Sequence, residues 1–150
     1  MKKRFISFIL AVVLIASAVP TFAMAATDEI VITYEDGSYL VVTVNESATR
    51  SGTTKTGKKT YSYYDANDNL EWKAVLSATF TYTGSTSTCT NATCTTTVYN
   101  SNWYEYSKST TRNGGTATTN LVMGRKLLGV TVSKFSRTLT LTCDSNGNLS

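Results

Sequence analysis

Apolar and polar residues alternate along much of the chain, which is the pattern of a strand with one buried face. The clearest case is residues 71–83, where Trp72, Leu76 and Phe80 belong to the apolar set and only Val75 breaks the alternation. We predict a long antiparallel strand here, with the side that carries these three residues facing the core.

Short clusters of turn-forming residues separate the predicted strands. The pair Asp36-Gly37 joins strands over 30–34 and 39–44, and such Asp-Gly pairs favour tight hairpins. Further turns are predicted over 65–69, which follows a strand over 59–64, and over 113–115, between strands over 103–111 and 116–123.

The last predicted strand changes phase along its length. Val130 and Val132 alternate on one parity, whereas Leu139 and Leu141 fall on the other. A one-residue slip moves every side chain to the opposite face, so a β-bulge near residues 133–134 explains the change.

Composition also favours an all-β fold. The chain from residue 26 onward contains 27 Thr and no Pro, and Thr suits the pleated, half-buried surface of a sheet. Eight or nine strands at this spacing predict an antiparallel β-sandwich, with a small barrel as the alternative.

The first 25 residues have the three parts of a secretory signal peptide. Lys2, Lys3 and Arg4 precede an uncharged apolar run over 5–19, which is too short to span a bilayer comfortably. Small residues at Ala23 and Ala25 mark a cleavage site. We therefore expect a cleavable leader (1–25), a single exported domain (26–150) and no membrane partner after cleavage.

Charge and residue types exclude several functions. The chain has no His, which removes chemistry based on imidazole. From residue 26 onward it has 11 basic and 10 acidic residues, a net charge of +1, so a nucleic-acid partner is not expected. Lys55, Lys58 and Lys59 lie in a Ser/Thr/Gly-rich stretch (48–60) that predicts a mobile loop.

Three cysteines leave one unpaired if a disulfide forms. Cys143 continues the inward parity of Leu139 and Leu141, which favours a Cys89–Cys143 bond that closes a 55-residue loop. A Cys89–Cys94 bond across a turn is the alternative, with Cys94 otherwise left over. Three thiolates without His make a poor zinc site, and no cofactor is predicted.

Two Asx-rich stretches, 65–69 and 144–148, share the pattern D-x-N-x-N. Alternating carboxylate and amide oxygens suit calcium. However, neither stretch has Gly at the sixth position, and Leu76 occupies the place of the bidentate Glu of the first loop. Turns are therefore the favoured interpretation.

Aromatic residues offer a candidate ligand face. Tyr61, Tyr63, Trp103 and Tyr104 lie in predicted strands, and alternation places Trp103 and Tyr104 on opposite faces. Exposed aromatics would suit sugar stacking or a protein contact, whereas cross-strand packing is the structural alternative.

No catalytic constellation is evident. Glycoside hydrolysis requires two carboxylates at a defined separation, and Glu71 or Glu105 with an Asp could supply them.

Several short segments resemble a group of small secreted proteins of Gram-positive, often gut-dwelling, bacteria for which no activity is assigned. These segments are residues 34–39, 69–72, 78–82, 89–90 and 141–144. The resemblance implies an exported, compact domain. It also implies that cysteines at the positions of Cys89 and Cys143 occur together, in agreement with the favoured pairing.

The leading functional hypothesis is a secreted, non-enzymatic module that binds an extracellular glycan, wall polymer or protein. The first alternative is a subunit of a surface or fibre assembly, because Thr-rich strands without Pro have poorly protected edges. The second is a small hydrolase that uses paired carboxylates.

Overall fold

The computed structural model describes residues 29–47 and 53–150, and no described residue is helical. The predicted leader, residues 1–25, lies outside the described residues. The described residues form eight antiparallel strands, which are β1 (Glu29–Thr33), β2 (Tyr39–Ser47), β3 (Thr54–Tyr64), β4 (Leu70–Tyr82), β5 (Ser87–Val98), β6 (Trp103–Asn113), β7 (Thr116–Leu127) and β8 (Val130–Thr142).

The strands form two sheets that pack face to face, so the predicted β-sandwich is confirmed. One sheet has the order β1-β2-β3-β4-β5 and the other β6-β7-β8. Strand β8 lies against β3 and β4, and β7 lies against β5. In the part of the chain that the structure describes, the sheets do not close into a barrel.

Each sheet is a simple meander, and this fixes where the turns lie. Because consecutive strands run antiparallel, the turns β1–β2, β3–β4, β5–β6 and β7–β8 all fall at one end of the sandwich. This end is called the turn end below. The alternate turns, together with Cys89 and Cys143, lie at the other end.

The strand predicted over 71–83 is β4, and its inward side is confirmed as core. Trp72, Leu76 and Phe80 are completely or almost completely buried. Apolar residues of β7 and β8, including Leu121 and Leu139, close the core from the three-stranded sheet.

The predicted bulge in the last strand exists, but it lies one residue earlier. Arg125 pairs with Ser133 and Lys126 pairs with Thr131, which leaves Val132 as the extra residue. Leu139 and Leu141 lie in the core, whereas Val130, before the bulge, and Val132, at the bulge, are both exposed.

The loop predicted over 48–60 is wrong from residue 54 onward, because these residues form the first half of β3. Thr and Lys alternate there as in a strand, and the Lys55 ammonium forms an ion pair with Glu46 of the neighbouring β2 at 2.8 Å. Gly57 permits the close approach of Leu149, whose Cδ1 would collide with a Cβ at that position. Residues 48–52 lie outside the described residues.

The disulfide predicted between Cys89 and Cys143 is not formed in this structure, and Cys94 is free as well. The thiols of Cys89 and Cys143 point to nearby backbone carbonyls instead, those of Asn91 at 3.3 Å and Asp144 at 3.5 Å. The alternative Cys89–Cys94 bond is excluded, because both residues lie on β5 about 16 Å apart, far beyond disulfide reach.

Candidate functional site

A polar cleft of about 290 Å³ opens at the turn end of the sandwich. Three turns and the end of β7 contribute to it, so residues far apart in the chain converge there. It is lined by Asp36, Ser38, Tyr63, Asp65, Ala66, Asn67, Glu71, Asn100, Trp103 and Arg125.

The β1–β2 turn supplies the first carboxylate. The backbone N–H and the hydroxyl of Ser38 both donate to Asp36 Oδ1, at 3.0 and 2.5 Å, and the Tyr63 hydroxyl donates to Ser38 Oγ at 2.9 Å. These Ser38 hydrogen bonds lower the pKa of Asp36, so its carboxylate is ionised at neutral pH. Burial raises the pKa of Tyr63, which remains a neutral phenol.

The β3–β4 turn supplies the second carboxylate. Asp65 Oδ1 accepts from the backbone N–H groups of Asn67 and Asn69, each at 2.9 Å, and the Asn69 amide donates to Oδ2 at 3.0 Å. The Asn69 side chain is the main reason why the pKa of Asp65 is lowered. Asp68 takes a positive φ of 64°, which Asp tolerates better than most residues.

Glu71 supplies the third carboxylate and is the unusual member of the cleft. Its residue is only 6% exposed. The Asn100 amide donates to Glu71 Oε2 at 2.8 Å, and neither of the two ion pairs among residues 29–47 and 53–150 involves Glu71. A buried carboxylate normally has a cation or several donors, so Glu71 has capacity to accept hydrogen bonds from a ligand.

A β-bulge explains why Glu71 points inward. Tyr63 pairs with Trp72 and Tyr64 pairs with Leu70, so Glu71 is skipped in the ladder. Its carbonyl instead accepts from the N–H groups of Tyr99 and Asn100, at 2.9 and 3.2 Å. Bulges re-aim side chains in this way, and as a result Glu71 and Trp72 are both buried although they are adjacent in the chain.

Aromatic rings form the base of the cleft. Trp103 lies edge-on to Tyr63, with 5.4 Å between ring centroids, and both rings belong to the core. The Arg125 guanidinium lies 6.0 Å from the centre of the Trp103 ring. The cleft thus combines apolar ring edges with three carboxylates, two amides and one cation.

The four residues of the predicted ligand face do not share one exposed face. Tyr63 and Trp103 are mostly buried but line the cleft. Tyr61 lies between the sheets, where its hydroxyl accepts from the Thr140 N–H at 3.3 Å. Tyr104 is on the outer face of the three-stranded sheet, hydrogen-bonded to the Thr131 hydroxyl at 2.7 Å. Alternation alone did not reveal that a second sheet covers Tyr61, Tyr63 and Trp103.

Both D-x-N-x-N stretches are Asx-stabilised turns. Asp144 repeats the arrangement of Asp65, because its Oδ1 accepts from the N–H groups of Asn146 and Asn148, each at 2.8 Å. Within the described part of the chain, no three acidic or Cys side chains are grouped so as to hold a metal ion. That part also contains no helix able to span a bilayer.

We expect the protein to lose stability in acid through these two turns. The Asn69 and Asn148 side chains are the first cause of the lowered pKa values of Asp65 and Asp144. Because the folded values lie below the unfolded ones, the stabilisation is complete above the unfolded pKa and is lost as the pH falls below about 4.

The measurement is urea denaturation between pH 7 and pH 2. The Asp65→Asn/Asp144→Asn double variant keeps a side-chain acceptor in each turn but cannot be protonated, so its free energy of unfolding should depend less on pH in acid. Equal acid dependence of the variant and the natural protein would contradict the assignment.

Comparison with known proteins gives no family. The chain matches no protein-family model. No curated protein and no solved structure shows significant similarity to it. The resemblance to small secreted Gram-positive proteins therefore stays a prediction, and the cleft itself must support any functional proposal.

Proposed function

We propose that the protein is exported after loss of residues 1–25 and binds an extracellular glycan in the cleft, without catalysis. The observation that carries this proposal is the Glu71 carboxylate, which is buried at the cleft and hydrogen-bonded to the neutral amide of Asn100. Sugar hydroxyls are donors that fit such a carboxylate, and a charge-assisted hydrogen bond is roughly twice as strong as a neutral one.

The rings at the base support a sugar rather than a metal or a small ion. Trp103 and Tyr63 line the cleft although each is only 7% exposed, so they offer a small apolar area next to polar groups. A pyranose ring likewise combines apolar C–H faces with hydroxyl edges. Specific sites generally combine aromatic surface with a few well-placed polar groups.

The net charge of the cleft restricts which glycans can bind. Three carboxylates and one guanidinium line the cleft, which gives it a net charge of −2. Anionic wall polymers would be repelled there, whereas neutral sugars and positively charged amino sugars would not. We therefore propose neutral or amino-sugar oligosaccharides as the ligands.

Calorimetric titration of the mature protein with glucosamine, N-acetylglucosamine and galacturonic acid oligomers tests this proposal. We expect the first two to bind and the third not to bind. Glu71→Gln keeps the shape of the side chain but removes the charge, and it should weaken binding about tenfold or more, because a hydrogen bond to a charged group contributes about 1.5–3 kcal/mol.

Glu46→Gln is the matched control, since Glu46 is a carboxylate at the far end of β2 that pairs with Lys55. It should change affinity less than about twofold, in line with the small energy of exposed ion pairs. Absence of binding to all three oligomers, or equal effects of the two variants, would contradict the proposal. Shortened oligomers in the same mixtures would support the carboxylate hydrolase instead.

A subunit of a β assembly is the second candidate, and one edge of the five-stranded sheet favours it. Strand β1 is an edge strand in which Ile30, Val31 and Ile32 are all exposed. Unprotected apolar edges can pair with a further strand. Light scattering at rising concentration separates the two candidates, because an assembly subunit must grow in mass.

We further propose that Cys89 and Cys143 become bonded in the exported protein. Their backbone N–H groups donate to the carbonyls of the consecutive residues Gly114 and Gly115, at 2.6 and 2.8 Å. The two cysteines therefore flank the same glycine pair, one from each sheet, and both thiols are buried. Besides burial, the charge of Cys143 is also one cause of the raised pKa of Cys89, as expected for thiols that lie near each other, and an exported protein meets oxidising conditions.

A further inference from the structure

The hairpin between β7 and β8 ends in an exposed apolar tip, defined here as residues 126–133. Leu127, Leu128, Val130 and Val132 are 61%, 96%, 67% and 56% exposed. Strand β6 begins at Trp103, which pairs with Arg125, so the ladder with β6 stops where the tip begins. The tip is a two-stranded ribbon that projects from the turn end, and large exposed apolar patches of this kind mark interaction sites.

Leu128 is an unfavourable residue for the turn between β7 and β8. Leu128 and Gly129 both have positive φ, 50° and 81°, as in a two-residue turn that favours Asn-Gly or Asp-Gly. Leucine is disfavoured in this conformation by its side chain. The Leu128 side chain is almost fully exposed, so it stabilises neither the turn nor the core. A strained residue without a stabilising role points to a function outside the fold.

Two lysines lie at the base of the tip. Lys126 and Lys134 lie on the outer face of the sheet, with their ammonium groups 4.5 Å from the Tyr104 ring centre and 3.6 Å from the Tyr106 ring centre. Arg125 lies at the same level but lines the cleft, together with three carboxylates.

We propose that the hairpin tip inserts into the interface of an anionic phospholipid bilayer. Leu128 lies three residues beyond Arg125, or about 10 Å along the strand, and interfacial apolar segments penetrate about 5–10 Å. Insertion of the leucines would therefore place Lys126 and Lys134, on the outer face of the three-stranded sheet, at the level of the lipid phosphates. Tyr104 and Tyr106 would lie at the same interface, where tyrosine is enriched in membrane-bound proteins.

The shape of the patch favours a bilayer over a protein partner. A projecting tip requires a matching groove in a protein, whereas a fluid lipid interface adapts to it. The proposal differs from the sequence-based expectation of no membrane partner. That expectation did not take into account that Leu127 and Leu128 lie beyond the start of β6 and are left uncovered. It does not depend on glycan binding.

Vesicle co-sedimentation of the mature protein tests the proposal. We expect binding to vesicles of equal parts phosphatidylglycerol and phosphatidylcholine, and binding at least about tenfold weaker to phosphatidylcholine alone. Lys126→Gln/Lys134→Gln should weaken binding to the anionic vesicles about 25-fold, at about fivefold for each cation. The control Lys58→Gln/Lys73→Gln removes two cations from the five-stranded sheet and should change binding less than about twofold.

A second variant separates insertion from electrostatic adsorption. Leu127→Thr/Leu128→Asn introduces a β-branched residue, which suits the strand, and a residue that is favoured in the turn, so folding should not suffer. It should weaken vesicle binding at least about tenfold, since lipid contact scales with buried apolar area. Thermal melts of every variant confirm that it is folded.

Three results would overturn the proposal. The first is no binding of the natural sequence to anionic vesicles. The second is unchanged binding of the leucine variant, which would indicate adsorption by charge alone. The third is a dimer in sedimentation that the leucine variant dissociates, with lipid leaving it intact, which would assign the tip to a second copy of the chain.

Discussion

Replacing Trp72 with alanine is expected to lower the free energy of unfolding by about 4 kcal/mol, within the range for truncation of a buried large aromatic residue. The Trp72 ring stacks on Tyr63 with 5.3 Å between centroids and contacts Phe135 of the opposite sheet at 5.6 Å. Its removal leaves a cavity between the two sheets. Urea denaturation of the mature protein at neutral pH gives the measurement.

Two further variants make this prediction specific. The Trp72 Nε1–H is buried and has no hydrogen-bond partner among residues 29–47 and 53–150, so Trp72→Phe removes an unsatisfied donor and should cost about 1 kcal/mol. Val132→Ala truncates an exposed residue of the hairpin tip and should change stability by less than about 0.5 kcal/mol. A loss below 1 kcal/mol in Trp72→Ala would contradict the proposed core.

Oxidation of the Cys89–Cys143 pair is expected to raise the free energy of unfolding by about 4 kcal/mol. A bond between these residues closes a loop of 55 residues, and the entropy that the unfolded chain loses on closure gives this magnitude in the chain-entropy model. The bond would also join the two sheets covalently, since Cys89 lies on β5 and Cys143 directly follows β8. The measurement is urea denaturation of the oxidised protein with and without a reductant.

Cys94→Ala provides the control, because Cys94 is the thiol that this pairing leaves out. The variant should show the same effect of reduction, and peptide mapping should find Cys89 linked to Cys143. Burial raises the pKa of all three thiols, so we expect slow oxidation of the folded protein at neutral pH. Three free thiols after refolding under oxidising conditions would contradict the prediction.

Much of the fold could be predicted from local patterns. The turn at Asp36-Gly37, the turn over 65–69 and the buried side of β4 all depend on residues close together in the chain. The error over residues 54–60 has a local cause, since a Thr/Lys/Gly-rich segment fits a loop and a half-exposed strand equally well. The segment forms a strand because residues 56–60 pair with β2 and Lys55 forms an ion pair with Glu46.

The candidate site was harder to predict, because it is assembled from turns that are distant in sequence. Asp36, Asn100 and Arg125 belong to three different parts of the chain and carry no common motif. Glu71 was recognised as one of the carboxylates in the chain, but its alternation with Trp72 assigned it to the outer face. The bulge that turns it inward depends on how β4 pairs with β3.

By itself, then, the sequence determined the all-β class, the positions of most turns and the inward side of β4. The two-residue alternation of a strand and the residue preferences of turns both act over a few neighbouring residues, so they can be recognised without the tertiary structure. The tertiary structure alone decided that Tyr61 is covered, that Glu71 reaches the cleft and that Leu128 is left exposed. Each of these outcomes depends on pairing register and on where a neighbouring strand begins or ends. A shift of one residue there reverses the side chain's environment.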